Sequence, residues 1–281
     1  SDIKSWNNQE KLPLFITATC EFSRFDNPNF VSAGEWVILN SGGGGIALLS
    51  TTRLVYSSPN FELNREFYNY AFNRDTQGKR LRLGDILRLS KNAVGDEQNK
   101  LNFTLLGDPA LTLCVPAGGI TMTKINGQPV AAFQDTLKAL SSATISGYFN
   151  DLNNNKLSDF NGVVYPTVYD KEITQTNLAN DGGPIMEFTV RNNILFRGKA
   201  SVKDGDFSFS FIVPKDIAYK VGTGKLSFYG NDNTTDASGV NLSVLIGGSS
   251  ENEIVDKSGP DLGIYMNDTT FVSGGITNET P

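Results

Sequence analysis

The chain has 281 residues, 39% of them hydrophobic, enough to bury a sizeable core, and its length suggests about two domains. Thirty acidic residues against 24 Lys and Arg give a net charge of −6; the two signs are interspersed and no basic tract could neutralise phosphates, which argues against nucleic acid as a partner. There is no histidine and there are two cysteines, Cys20 and Cys114, so these residues cannot assemble a Ser-His or Cys-His pair, a conventional zinc site or a disulfide framework, and no cofactor is implied.

No segment approaches the 18 consecutive apolar residues that a membrane-spanning helix needs. The opening SDIKSWNNQE lacks the basic flank and apolar core of a secretory signal. Without an initiating Met, and with a polar helix-like segment leading straight into a core strand, it reads as the start of a fragment or a processed chain.

Pro13 to Thr19 and Gly45 to Thr52 are apolar runs bounded by Pro or Gly, the pattern of strands covered on both faces, as in a parallel sheet. Leu101 to Gly107 is a third, ended by Gly107-Asp108-Pro109. Between them, Ser58-Pro59 reads as the cap and first turn of a helix whose Leu63, Phe67 and Ala71 recur every four residues. Another helix runs from about Gly84, with Ile86, Leu89 and Ala93 on one face. This order is an α/β arrangement over residues 1–115. ALTLCVP reads as a final or edge strand with Cys114 as core or half-buried filler, and a Cys20–Cys114 disulfide stays open.

After Pro116 the pattern changes to short alternating segments separated by Asn126-Gly127, Asn161-Gly162 and Asp204-Gly205. Phe207, Phe209 and Phe211 face one way and Ser208 and Ser210 the other, so residues 116–248 read as antiparallel all-β, a sandwich. From residue 249 a polar linker leads into what is expected to be the start of a truncated further domain, 249–281.

In an open α/β sheet, chemistry sits beyond the carboxyl ends of the strands. Cys20 follows the first strand at such an end, where a thiol can be exposed and activated by a base; a buried structural cysteine is the competing reading. NSGGGGIALL precedes a strand and lacks phosphate-loop spacing, so it reads as a flexible connection. Asp151 to Phe160 places oxygens at alternate positions but lacks the central Gly and terminal Glu of a calcium loop, and reads as a polar hairpin turn.

The motifs ITATCEF, GGIALLSTTRLVYSSP and LNFTLLGDPALTL, in that order, resemble the C-terminal half of the gingipain-type cysteine peptidase domain. The likeness spans Lys11 to Pro116 and extends more loosely through SAGEW, SDFNGVVYPTVYDKEIT and GPDLGIYMND. It implies a caspase-like α/β fold followed by an immunoglobulin-like sandwich, with Cys20 as nucleophile and Tyr56 bordering the primary specificity pocket; Ala18, two residues before the nucleophile and so on the same face of the strand, is expected to border that pocket too. It also implies a general-base histidine upstream of Ser1, so these residues alone are expected to be inactive, short of about 10²- to 10⁴-fold of acid–base assistance.

The branch most alike serves as peptidase and sortase of the type IX secretion system. The partners it implies are cargo proteins with C-terminal secretion signals, outer-membrane secretion-complex proteins and surface lipopolysaccharide, at the outer-membrane-associated cell surface. The alternatives are a noncatalytic surface binding or adhesion module and an inactive peptidase homologue.

Overall fold

In the computed structural model, which describes residues 2–95 and 98–250, the first two apolar runs form β1 (Leu14–Ile16) and β2 (Ala47–Thr51). They pair in parallel, Leu14 opposite Ala47 and Ile16 opposite Leu49. β2 is buried at every position because both faces are covered. On one face α1 (Ala33–Leu39) brings Gly34 against Leu48. On the other, α2 (Ser57–Ala71) and α3 (Leu83–Ala93) supply Leu63, Phe67, Ala71, Leu83 and Ile86 to a cluster with Ala47, Leu49 and Phe103.

The third strand, β3 (Phe103–Gly107), departs from the expected parallel sheet by pairing with β2 antiparallel, Ala47 opposite Gly107. Two helices rather than one separate the strands. The second returns the chain to the end of β2, where Thr52 N–H donates to Asn102 O at 2.9 Å, so β3 has to run back.

Within α2 the four-residue spacing of Leu63, Phe67 and Ala71 is the buried stripe, but the helix begins at Ser57 and its N-cap is Tyr56, not Ser58. In α3 the buried positions are Leu83, Ile86 and Ser90, whereas Ala93 is exposed. Ser90 is tolerated inside because its hydroxyl donates to Ile86 O at 2.7 Å. ALTLCVP is not a strand: beyond the Gly107 turn only an isolated bridge joins Thr112 to Arg82, and Cys114 is exposed instead of filling a core. Both cysteines are free thiols.

The chain divides into two compact units, Ser1–Val115 and Pro116–Pro281. The second is built on β4 (Gly118–Ile125), β5 (Ser142–Asn150), β6 (Gly162–Tyr169), β7 (Ala200–Lys203), β8 (Asp206–Ile212), β9 (Lys225–Asn231) and β10 (Asp236–Asn241). Their hydrogen bonding runs β6-β7-β8-β5-β4-β10-β9 and back to β6. The strands thus close into one seven-stranded, barrel-like ring. The β4–β10 pair is parallel, Gly118 opposite Ala237, and the other pairs of the ring are antiparallel.

The predicted alternation sets the inside of this ring: Phe207, Phe209 and Phe211 join Ile145, Phe149, Val164 and Phe228 in the core. On the outside, Ser208 and Ser210 bond hydroxyl to hydroxyl with Ser146 and Thr144 at 3.0 and 2.7 Å. Asn126-Gly127 and Asp204-Gly205 both have positive φ at both positions, as tight hairpin turns require. Asp151 to Phe160 begins with the expected polar hairpin turn: Asn150 and Lys156 form an antiparallel bridge, and Leu157 N–H donates to Phe149 O at 2.9 Å, although β5 and β6 themselves do not pair. Asp151 Oδ1 accepts from the N–H groups of Asn153 and Asn155 at 2.8 and 2.9 Å, closing the turn.

Among the described residues no helix is long and apolar enough to cross a membrane. The expected further domain at 249–281 lies outside the described residues from 251 onward.

Candidate active site

β1 is shorter than its apolar run. Thr17 N–H still donates to Leu49 O at 3.0 Å, but from Ala18 the backbone leaves the sheet, so Cys20 stands in a bend four residues beyond the strand. The alternation that would align Ala18 with Cys20 on one strand face therefore does not apply; both residues are exposed. Glu21, directly after the cysteine, has φ 52°, a conformation uncommon for a residue with a side chain and one that turns the chain sharply there.

This bend is tied to the end of β2 at several points. Thr51 Oγ1 donates to Thr19 O, Glu21 N–H donates to Arg53 O at 3.3 Å, and Ser23 N–H donates to Thr51 O at 3.0 Å. Arg53 also pairs with Asp26; its guanidinium hydrogen bond holds the Asp26 carboxyl below the usual carboxylate range, against the opposing effect of desolvation. Past the bend, Gly34 N–H donates to Phe22 O at 2.8 Å, which fixes the loop to the start of α1. α1 itself is closed by a capping box between Ser32 and Glu35.

The Cys20 thiol donates to Val55 O at 3.3 Å, in the segment joining β2 to α2. That segment presents large apolar side chains to solvent: Leu54 is 70% exposed and Tyr56 78%. It is held from behind by two asparagines. Asn102 Nδ2 donates to Leu54 O at 3.1 Å, and Asn99 Oδ1 accepts from Tyr56 N–H at 3.0 Å. The site thus combines an accessible sulfur, a neighbouring carbonyl that accepts a hydrogen bond from it, and an exposed aromatic on a braced loop. Cys114 has no hydrogen bond of this kind among the described residues.

Residues 1–114 match the family model of Peptidase family C25. The gingipain-type cysteine peptidase resemblance is borne out. Among solved structures, dimeric latent PorU from Porphyromonas gingivalis is 30% identical, with 84% of this chain and 23% of that chain covered at a TM-score of 0.49. The Arg-specific cysteine proteinase gingipain R is 18% identical, over 86% of this chain and 48% of that one, at a TM-score of 0.36. The complex of Porphyromonas gingivalis RgpB pro- and mature domains is 16% identical, over 84% and 48%, at a TM-score of 0.35. No curated protein matches the chain. The chain spans less than half the length of each of these structures.

Within the C25 segment, sequence reasoning singled out Cys20, Ala18 and Tyr56, and the structure places Cys20 beside the Val55–Tyr56 segment. It missed the Val55 carbonyl, because a backbone acceptor leaves no trace in residue type. It also missed Asn99 and Asn102. The signal available for these was an asparagine-rich polar stretch, QNKLN, directly before a strand, since Asn amides both donate to and accept from loop backbone.

Proposed function

We propose that these residues belong to a cysteine peptidase in which Cys20 is the nucleophile. The observation that carries the reading is the exposed thiol in a sharply turned bend at the carboxyl end of a parallel strand pair, inside the segment that matches Peptidase family C25. The thiol proton rests against Val55 O, so a base has to remove it before attack. With no histidine in these 281 residues, that base comes from elsewhere in the complete protein. The thiolate adds to a scissile carbonyl, backbone N–H groups hold the oxyanion, and the amine leaves with the proton taken from Cys20.

The thioester is then opened by water, releasing trimmed cargo, or by an amine on a surface glycolipid, anchoring it; either step returns the proton to Cys20. Tyr56 and Ala18 border the side-chain pocket. In this reading the protein is a peptidase and sortase that removes C-terminal secretion signals at the outer-membrane-associated cell surface, working with the secretion complex and attaching cargo to lipopolysaccharide.

The second unit fits this architecture as an immunoglobulin-like sandwich closed at both edges. Taken in chain order as A to G, its ring strands run C-D-E-B-A-G-F, which is the pairing of an A-B-E-D sheet and a C-F-G sheet joined by a parallel A–G contact and a C–D contact.

The test is processing of a cargo protein by the complete protein with Cys20→Ala. Processing should fall to background while Cys114→Ala stays near the parent rate. Normal processing by the Cys20 variant would overturn the assignment.

A further inference from the structure

Within the second unit, a cavity of about 770 Å³ lies at the foot of the hairpin Ile173–Thr176 and Glu187–Val190. Residues 170–173 and 191–193 line it from the hairpin, and the loop at 216–223 lines it opposite. Both sides are held in place. Lys171 Nζ donates to Asp170 Oδ1 at 2.7 Å and to Ile246 O at 3.2 Å, while on the loop Gly222 pairs with Ile246 and Tyr219 O accepts from Gly248 N–H at 2.9 Å.

The lining offers open hydrogen-bonding groups of both kinds. Among the described residues the side chains of Lys220, Asp216 and Asn192 make no hydrogen bond or ion pair. Arg191 meets only Glu172, at 3.0 Å, and its Nε is buried without a hydrogen-bond partner, a state that buried polar atoms rarely keep. Glu172 is 49% exposed, and a pair so open to water holds the guanidinium weakly, leaving its other edge free to turn toward an incoming acceptor.

A second observation concerns the backbone. Ile173–Thr176 pairs with Glu187–Val190 along one edge and has no partner along the other among the described residues. All four of its residues are exposed, and it leads out of the cavity, since Ile173 is part of the lining. An unpaired edge of this kind is a template for another strand.

We propose that the cavity and this strand edge bind an extended peptide that carries a carboxylate. The carboxylate sits between Lys220 and Arg191, and backbone N–H groups donate to Asp216 and to the Asn192 amide oxygen. One side chain packs on Ile173 and Val221, both about half exposed, and the remainder pairs along Ile173–Thr176 by strand addition. A small anion would leave Asp216 facing it and the strand edge empty, so a peptide answers these groups better. The inference is independent of the peptidase reading.

The test is fluorescence anisotropy of the 281-residue chain with fluorescein-tagged Thr-Val-Thr-Val-Thr-Val-Asp, for which saturable binding is expected. Asn in place of the peptide's Asp, with an amidated C-terminus, should weaken binding by about tenfold, the loss of one charge-assisted hydrogen bond. N-methylation at alternate residues, which removes the donors a strand pair needs, should weaken it at least as much. Lys220→Gln should cost about tenfold in binding and leave thermal unfolding unchanged, because that side chain is exposed and unpartnered; it keeps the test valid even if Arg191→Gln, which should also weaken binding, destabilises the hairpin. No saturable binding, binding unchanged in both protein variants, or an N-methylated peptide that binds as well as its parent overturns the proposal. Binding of a synthetic peptide of residues 251–281 but not of the probe would assign the groove to the chain's own tail, and a dimer by light scattering that Lys220→Gln dissolves would assign it to a second copy; either result also overturns it.

Discussion

Gly34→Ala tests the link between α1 and the cysteine bend. A Cβ added at Gly34 would lie 2.0 Å from Ser23 Oγ, 2.9 Å from Ser23 Cβ and 3.0 Å from Leu48 Cδ2. Rotating the Ser23 hydroxyl relieves only the first contact. The Leu48 contact needs that side chain to shift by a few tenths of an ångström, and the Ser23 Cβ contact requires the backbone of the loop or of α1 to move, with Ser23 fully buried. Overpacking of this kind costs about 1–3 kcal/mol. Replacing Gly by Ala in a helix returns about 1 kcal/mol, so at the middle of that cost range the net effect is a loss of roughly 1 kcal/mol. At about 4 °C per kcal/mol for a unit of this size, the melting point should fall by roughly 4 °C. Trp6 and Trp36 are the only tryptophans and both lie in the first unit, so tryptophan fluorescence during urea or thermal unfolding reads that unit alone. Ser23→Gly in the same chain removes both crowding Ser23 atoms and should restore most of the loss. A Gly34→Ala chain as stable as the parent would refute this account of how the bend is fixed.

Three further outcomes follow from the same geometry. Because Cys20 and Cys114 are both exposed, iodoacetamide should label them at rates within about tenfold of each other in these 281 residues, and Cys20 should pull far ahead only in a complete protein that supplies the base. Peptide mapping after timed labelling measures both rates, and a Cys20 that already outruns Cys114 by orders of magnitude would place the activating group inside this chain. Tyr56→Ala should leave the unfolding midpoint within about 0.5 kcal/mol of the parent, since the ring is largely in solvent, but should change KM for cargo more than kcat in the complete protein.

The third concerns Asp170, buried with Lys171 at 2.7 Å. Burial pushes its carboxyl up, but the Lys171 ammonium and N–H together with the Asn193 amide outweigh this and hold it below the usual range. A depressed native value gives stability that is present above the unfolded pKa of about 3.9 and is lost as pH falls through the native value. Asp170→Asn should therefore destabilise at neutral pH by about 3 kcal/mol, by leaving Lys171 buried and unpaired, and flatten the decline below about pH 4. Urea midpoints followed by circular dichroism across that range measure both effects.

What could be read in the sequence was whatever is decided over a few residues. The Pro- and Gly-bounded runs became β1, β2 and β3, and the one with no polar side to show, β2, is the one buried at every position. The Phe207-Phe209-Phe211 alternation gave an inward face directly. Decisions made over long separations were not readable. The reversal of β3 depends on how two helices return the chain, and closure of the second unit depends on Gly118 meeting Ala237, more than a hundred residues away. At the site, residue type picked out a cysteine after an apolar run, but neither its exposure nor the bend at Glu21 is encoded locally. Asn99 and Asn102 look like ordinary turn residues until the backbone they brace is in place.

The closed seven-strand ring has a mechanical corollary. No member can peel away alone, since each would have to break two hydrogen-bonded ladders at once. Amide protons inside it should exchange together and slowly, through one concerted opening. The projecting hairpin Ile173–Thr176 and Glu187–Val190, paired only with itself, should exchange early and offer proteases their first cut.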